Sequence, residues 1–216
     1  MSEHTTGLAH HFDDLDQQHK AGQLGMWLFL VTEIMFFGGL FAAYAIYRHL
    51  YPVAFAEGSH HLDMYIGTFN TIILIGSSVT MVLAVHAAQT GNRRAIVLFL
   101  ILTILLGGVF LGIKAYEYHH KWTEGMIPGE GFRHVGKQDP GHVQMFFIFY
   151  FVMTGMHALH MVIGVGLLAA AIYVVVKGKV TPRHYAQVDI AGLYWHFVDL
   201  VWIFLFPLLY LVDRHK

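Results

Sequence analysis

The sequence contains no cysteine, only 12% charged residues and no surplus of basic ones. The missing thiols exclude disulfides, thiolate metal centres and cysteine nucleophiles. A formal net charge of −1 with neutral histidine provides no basic stripe of the kind nucleic-acid partners recognise, so none is expected. Ordinary soluble domains carry roughly 25% charged residues, about twice the proportion found here. With 56% apolar residues in a chain of 216, one core cannot absorb the apolar surface, and part of the solvent must be lipid. Residues 1–23 lack the basic start and apolar stretch of a cleaved signal and are expected to stay in the mature protein. No nucleophile arrangement, phosphate-cradling glycine loop or zinc spacing is present, and Gly22-Gln23-Leu24-Gly25 is too short to cradle phosphate.

What is abundant is long apolar runs. A membrane helix needs about 20 mostly apolar residues to cross roughly 30 Å of hydrocarbon at about 1.5 Å per residue. Five stretches qualify, approximately 24–47, 65–88, 95–118, 145–176 and 190–212, which predicts an all-α bundle of five transmembrane helices over 24–212. A polar tail over 1–23 precedes it, and the polar loop 119–141 interrupts it with Pro128, Gly129, Gly131 and Pro140. Gly91-Asn92-Arg93-Arg94 reads as a tight turn. Small residues within the spans (Gly38-Gly39, Ala42-Ala43, Gly76-Ser77-Ser78, Gly107-Gly108, Gly155, Gly164, Gly166) suit close helix approach. Basic residues divide six and six between the two sides, but Arg93, Arg94, Lys177, Lys179 and Arg183 crowd two short connections. Short loops weigh most in the positive-inside rule, so the N-terminus is expected in the cytoplasm and the C-terminus outside it.

Ionisable groups inside spans are the functional candidates, because hydrocarbon penalises charge. Glu33 lies about 14 Å into the first span with no basic neighbour nearby in sequence, so it is either protonated or paired with another helix. Lys114 and Glu117, and likewise His157 and His160, are spaced i, i+3, each pair on one helical face. Counted by depth, all four can meet near one interface as a polar clamp between helices. His196 and Asp199 form a third i, i+3 pair, with Asp199 close to Glu33 in depth and an interhelical polar layer expected there. Trp195 and Trp202 read as packing and interface anchors. The tail residues His10, His11, Asp13, Asp14, Asp16 and His19 could buffer and collect protons or form a solvated leader. A metal reading fails on spacing, since Glu-x-x-His occurs only as Glu57–His60 and Glu117–His120, at or beyond the ends of the apolar stretches, and only one His-x-x-His pair is present. A heme between His86 and His196 is the remaining redox alternative, with His157 and His160 as further ligand suspects.

Four stretches carry a family likeness: Trp27-Leu28-Phe29 through Glu33-Ile34-Met35-Phe36-Phe37; Lys114-Ala115-Tyr116-Glu117-Tyr118; Thr154-Gly155-Met156-His157-Ala158-Leu159-His160 with Gly164; and Tyr194-Trp195-His196-Phe197-Val198-Asp199 with Trp202. In this order they resemble subunit III of the heme–copper cytochrome c and quinol oxidases, in a five-helix form. The resemblance implies an accessory subunit of a proton-pumping respiratory oxidase in a bacterial cytoplasmic (inner) membrane, with no catalytic residue, cofactor or metal of its own. It implies hemes and copper in partner subunits, docking on catalytic subunit I beside other oxidase subunits, contact with membrane phospholipid, and a place in a respiratory supercomplex. The family's membrane carboxylate, tied to proton uptake and sustained turnover, falls on Glu33; its structural clamp falls on Glu117, His157 and His160. A related accessory subunit of a nitric oxide reductase shares most of these motifs.

Overall fold

A computed structural model describes residues 15–129, 131–133, 136–178, 180–181 and 185–213. Among them are six helices: α1 (Leu15–Leu50), α2 (Pro52–His60), α3 (Met64–Thr90), α4 (Arg93–Thr123), α5 (Pro140–Val176) and α6 (Ala186–Tyr210). All but α2 are long and apolar enough to cross a membrane, and they correspond to the five spans read from the sequence. The helices outrun the apolar stretches. α1 begins at Leu15, inside the polar tail, because Gln, Lys and Ala prolong a helix readily once one exists. α4 continues to Thr123 and α5 starts at Pro140, which shortens the polar connection between them.

Local chemistry sets the ends. The Asp63 carboxylate accepts from the amides of Tyr65 and Ile66 and caps α3. Gly91 closes α3 in the left-handed conformation at φ 77°, and Asn92 at once caps α4 by accepting from the Ala95 amide. The turn is therefore two residues long, and Arg93 and Arg94 already belong to α4. Asp139 and Pro140 start α5 as cap and first helical residue. The unanticipated α2 has too few residues to span; its buried Phe55 packs edge-on against Phe146 of α5.

Side-chain contacts define the two ends of the bundle. Gln23 of α1 meets Asp189 of α6 at one end, where Arg93 of α4 also reaches the Gly178 carbonyl just after α5. At the other end the Tyr44 hydroxyl donates to the Leu208 carbonyl, and Tyr51 stacks on His142. α6 is the most enclosed helix and α1 the least, its Leu28, Val31, Ile34 and Met35 all lying exposed.

Trp195 of α6 is wholly buried between two glycines. A Cβ at Gly107 of α4 would lie 2.6 Å from its Cη2, and one at Gly164 of α5 would lie 3.0 Å from its Cε3. The indole cannot slide away cheaply, because its Nε1 donates to the Ser77 hydroxyl at 3.1 Å. The neighbouring Gly108, like Gly38, Gly39, Gly76 and Gly166, faces open space, so those glycines do not serve close approach within this chain. Gly58 and Gly67 do, against Phe146 and against Phe206 with Tyr210. Gly107→Ala should therefore destabilise the protein by about 1–3 kcal/mol through overpacking, whereas Gly108→Ala should leave stability unchanged or slightly raised. Thermal unfolding of the two purified variants in detergent, followed by tryptophan fluorescence, checks this; equal midpoints would remove the role given to Gly107.

Candidate functional site: polar layers between the helices

The candidate residues settle into separate layers instead of one cluster. The first is built on Lys114 and Glu117, one turn apart on α4 and both buried. The Lys114 ammonium donates to Glu117 Oε2 at 2.9 Å, to the Tyr210 hydroxyl at 2.8 Å and to the Tyr150 hydroxyl at 3.2 Å. That uses all three of its hydrogens. The Tyr210 hydroxyl in turn donates to Glu117 Oε1 at 2.6 Å, so ammonium, phenol and carboxylate close a ring spanning α4 and α6, with Tyr150 joining from α5. The rings of Tyr118, Tyr150, Trp202 and Tyr210 surround the ammonium at 5.0–5.5 Å from their centroids, an aromatic cage around the cation.

The expected Glu117–histidine contacts are not made. Glu117 is already satisfied by Lys114 and Tyr210, while His157 turns to α6, where its Nε2 donates to the Val198 carbonyl at 3.1 Å. Phe110 and Trp202 pack on its ring, and its Nδ1 is left buried without a partner. His160 instead joins Glu33. Tyr150 and His160 are ten residues apart on α5, so this second layer lies about 15 Å deeper.

The geometry of the Glu33–His160 pair fixes its proton inventory. His160 Nδ1 faces the Met156 carbonyl at 2.8 Å, and a carbonyl only accepts, so Nδ1 carries hydrogen. The other nitrogen, Nε2, lies 3.0 Å from Glu33 Oε2, and a single proton occupies that contact. It sits either on the carboxyl, as a neutral pair, or on the ring, as an ion pair. Of the two sequence readings of Glu33, pairing across helices gains a named partner. Glu33 is partly open to the outer surface of α1, whereas His160 is nearly enclosed.

The third expected pair, His196 with Asp199, is not hydrogen-bonded either. His196 Nδ1 meets the Ser78 hydroxyl of α3 at 2.8 Å. Ser78 lies close to Asp199 as well, but outside hydrogen-bond geometry, and both oxygens of the buried Asp199 lack a partner. Glu33 and Asp199 thus do not form one polar layer: Glu33 bonds His160, and Asp199 bonds neither. Trp195 and Trp202 are fully buried packing groups, not interface anchors. His86 lies exposed on α3. Among the described residues, no group of three or more His, Asp or Glu is placed to hold a metal ion. His10, His11, Asp13 and Asp14 lie outside the described residues, as do the side chains of Asp16 and His19.

Several participants carried no sequence signal of their own. Tyr150 could have been found, since it precedes His157 by seven residues, two turns on one face. Tyr210 lies beyond the helix-interior Pro207, and only its depth pointed to Lys114. At the end of α4, below this layer, a cavity of about 500 Å³ is lined by residues including His60, Asp63, Tyr65, Glu117, His120 and Glu124. Burial works against the charge on Glu124, but Lys121 at 2.6 Å and His120 at 3.3 Å outweigh it and hold the carboxyl below its usual range.

Removing one member of the buried ion pair strands the other. Lys114→Met should lower stability by about 3–5 kcal/mol, and adding Glu117→Leu should restore most of the loss. Unfolding midpoints of the single and double variants form the test; additive losses would show that the two groups do not act as a pair.

Comparison with known proteins follows the same residues. The family model for cytochrome c oxidase subunit III matches residues 3–124 and 142–213. A cytochrome c oxidase subunit 3 from Corynebacterium diphtheriae is 36% identical over 192 residues, covering 88% of this chain and 87% of its own length. The corresponding cytochrome bo(3) ubiquinol oxidase subunit 3 from Pseudomonas putida is 32% identical over 200 residues, covering 90% of this chain and 88% of its own length. A quinol oxidase subunit 3 from Bacillus spizizenii is 30% identical, with 92% of each chain covered. With all the polar layers and, but for the first two residues of α5, all five spans inside the matched segments, the chain belongs to the cytochrome c oxidase subunit III family.

Proposed function

We propose that this chain is the accessory third subunit of a proton-pumping heme–copper terminal oxidase in a bacterial cytoplasmic membrane, stabilising the catalytic subunit and its proton uptake. The observation that carries this reading is the family match over nearly the whole chain, with relatives named as subunits of both cytochrome c and quinol oxidases. Oxygen reduction then takes place at hemes and copper in partner subunit I, and this chain carries no redox centre. The engagement of its histidines supports that division of labour. His160 uses both ring nitrogens within the protein, while His157 and His196 are each bonded to a neighbouring helix. The N-terminus lies in the cytoplasm in this reading, since Arg93, Arg94 and Lys177 gather at the end of the bundle where α1 begins.

The direct test is native purification through a C-terminal tag after gentle solubilisation. The expected product contains a heme–copper catalytic subunit holding all the heme, and the separated chain shows no Soret band. Recovery of the chain alone with its own heme or iron would overturn the assignment.

Glu33 acts, in this proposal, through the one proton it shares with His160. Glu33→Gln preserves a donor to Nε2 and the shape of the contact but removes the exchangeable proton. The variant should assemble normally, yet its oxidase activity should change over sustained turnover. Activity identical to the parent over many turnovers would leave Glu33 a purely structural role.

A further inference from the structure

At the end of the bundle where α4 begins, an apolar groove of about 480 Å³ runs between the first turns of α4 and the last turn of α5. Its walls are Val97, Leu98, Ile101, Val175 and Val176, and its mouth is formed by Arg93 and Arg94. Leu98, Ile101 and Val176 expose their side chains on the surface that faces hydrocarbon in a bilayer. The two guanidiniums therefore stand at the membrane boundary, directly above a slot with the chemistry of an acyl chain.

The backbone at the end of α5 places Arg93 at the mouth. Gly178 ends α5 in the left-handed conformation at φ 74°, and Arg93 lies so close that a Cβ there would sit 3.0 Å from its Nη1. The Arg93 Nη2 donates to the Gly178 carbonyl at 3.3 Å, which ties the arginine across the groove from α4 to the end of α5. Lys177, beside it, is exposed and lies over the Tyr173 ring. Residues 85–94 and 170–178, at the ends of α3 and α5 and the start of α4, include no Asp or Glu, and the Asp189 carboxylate of α6 at this end of the bundle accepts from Gln23. A lone anion would satisfy the arginines but leave the apolar slot empty, whereas a zwitterionic headgroup would bring its own cation to a cationic mouth.

We propose that this groove is a binding site for one phospholipid with an anionic headgroup, its phosphate held by Arg93 and Arg94 and an acyl chain lying along Leu98, Ile101 and Val176. The proposal requires only that the helices span a membrane, and so stands or falls independently of the oxidase assignment. Lipid bound there staples the start of α4 to the end of α5, adding to the Arg93–Gly178 contact at 3.3 Å.

The test uses the full chain as recovered through its C-terminal tag, with whatever partners accompany it, reconstituted with a phosphatidylglycerol bearing a photoactivatable acyl chain, and maps cross-links by mass spectrometry. Labelling is expected at 97–101 and 175–176, displaced by unlabelled phosphatidylglycerol but not by phosphatidylcholine or by millimolar inorganic phosphate. Each guanidinium near a charged bilayer surface strengthens such contacts by roughly fivefold, so Arg93→Gln with Arg94→Gln should reduce labelling about tenfold or more. Arg94→Gln alone, which leaves the Arg93–Gly178 contact in place, should reduce it about fivefold. Absence of labelling in the groove, or equal labelling by a phosphatidylcholine probe of the same design, would overturn the proposal without requiring any variant. Displacement by inorganic phosphate would show a simple anion site and would equally overturn it.

Discussion

A lysine ammonium buried among membrane helices is shut off from bulk solvent, and the architecture of one end of the bundle follows from that constraint. Lys114 must find three acceptors, and it finds them on three different helices: Glu117 on its own, Tyr150 on α5 and Tyr210 on α6. Meeting this requirement fixes the rotation of α4 against α5 and α6, because each acceptor must point at one nitrogen. The aromatic cage then limits the residues that can follow in that layer, and Trp202, held by the Thr71 hydroxyl at 3.0 Å, belongs to it. Apolar packing between lipid-solvated helices gives little rotational preference, since lipid tails are as apolar as leucine side chains. Polar satisfaction and the close glycine contacts on Trp195 supply the preference instead.

The sequence displayed the spans clearly, because length and apolarity in a membrane are nearly sufficient evidence for a helix. It was weaker at the ends, where α1 and α4 run past their apolar stretches and where α2 is too short to announce itself. The candidate residues were equally legible as types, since buried ionisable groups stand out against an apolar background. Their partners were not. Periodicity placed His157 and His160 on one face of α5, yet three residues of separation rotates them by about 60° from each other. That difference is enough to send His157 to the Val198 carbonyl of α6 and His160 to Glu33 of α1. Likewise Ser78, an ordinary small residue in the sequence, is the group that meets His196 from across the helix interface. Pairings between helices depend on relative rotation and depth, and neither is written in a single helix.

The family match and the physics meet at these layers. The quoted motifs that carry the resemblance are the segments that contribute the buried lysine, the two histidines of α5 and the glycine-flanked tryptophan. What they have in common is that each places a group that would be intolerable in lipid opposite a group on another helix, Asp199 being the exception with no bonded partner. They are restraints on assembly first, whatever chemistry a complex then draws from them.

The first helix illustrates what such restraints achieve. α1 is the least enclosed of the spans, but it is held at three heights: Gln23 to Asp189, Glu33 to His160 and Tyr44 to Leu208. Glu33 and Tyr44 are eleven residues apart, about three turns, and so lie on nearly the same stripe of the helix. Sliding α1 by one residue would turn that stripe by about 100° and break all three contacts at once. The helix is keyed like a shaft in a lock. It can present a broad oily flank to whatever lies beside it while its screw position against the rest of the bundle stays fixed.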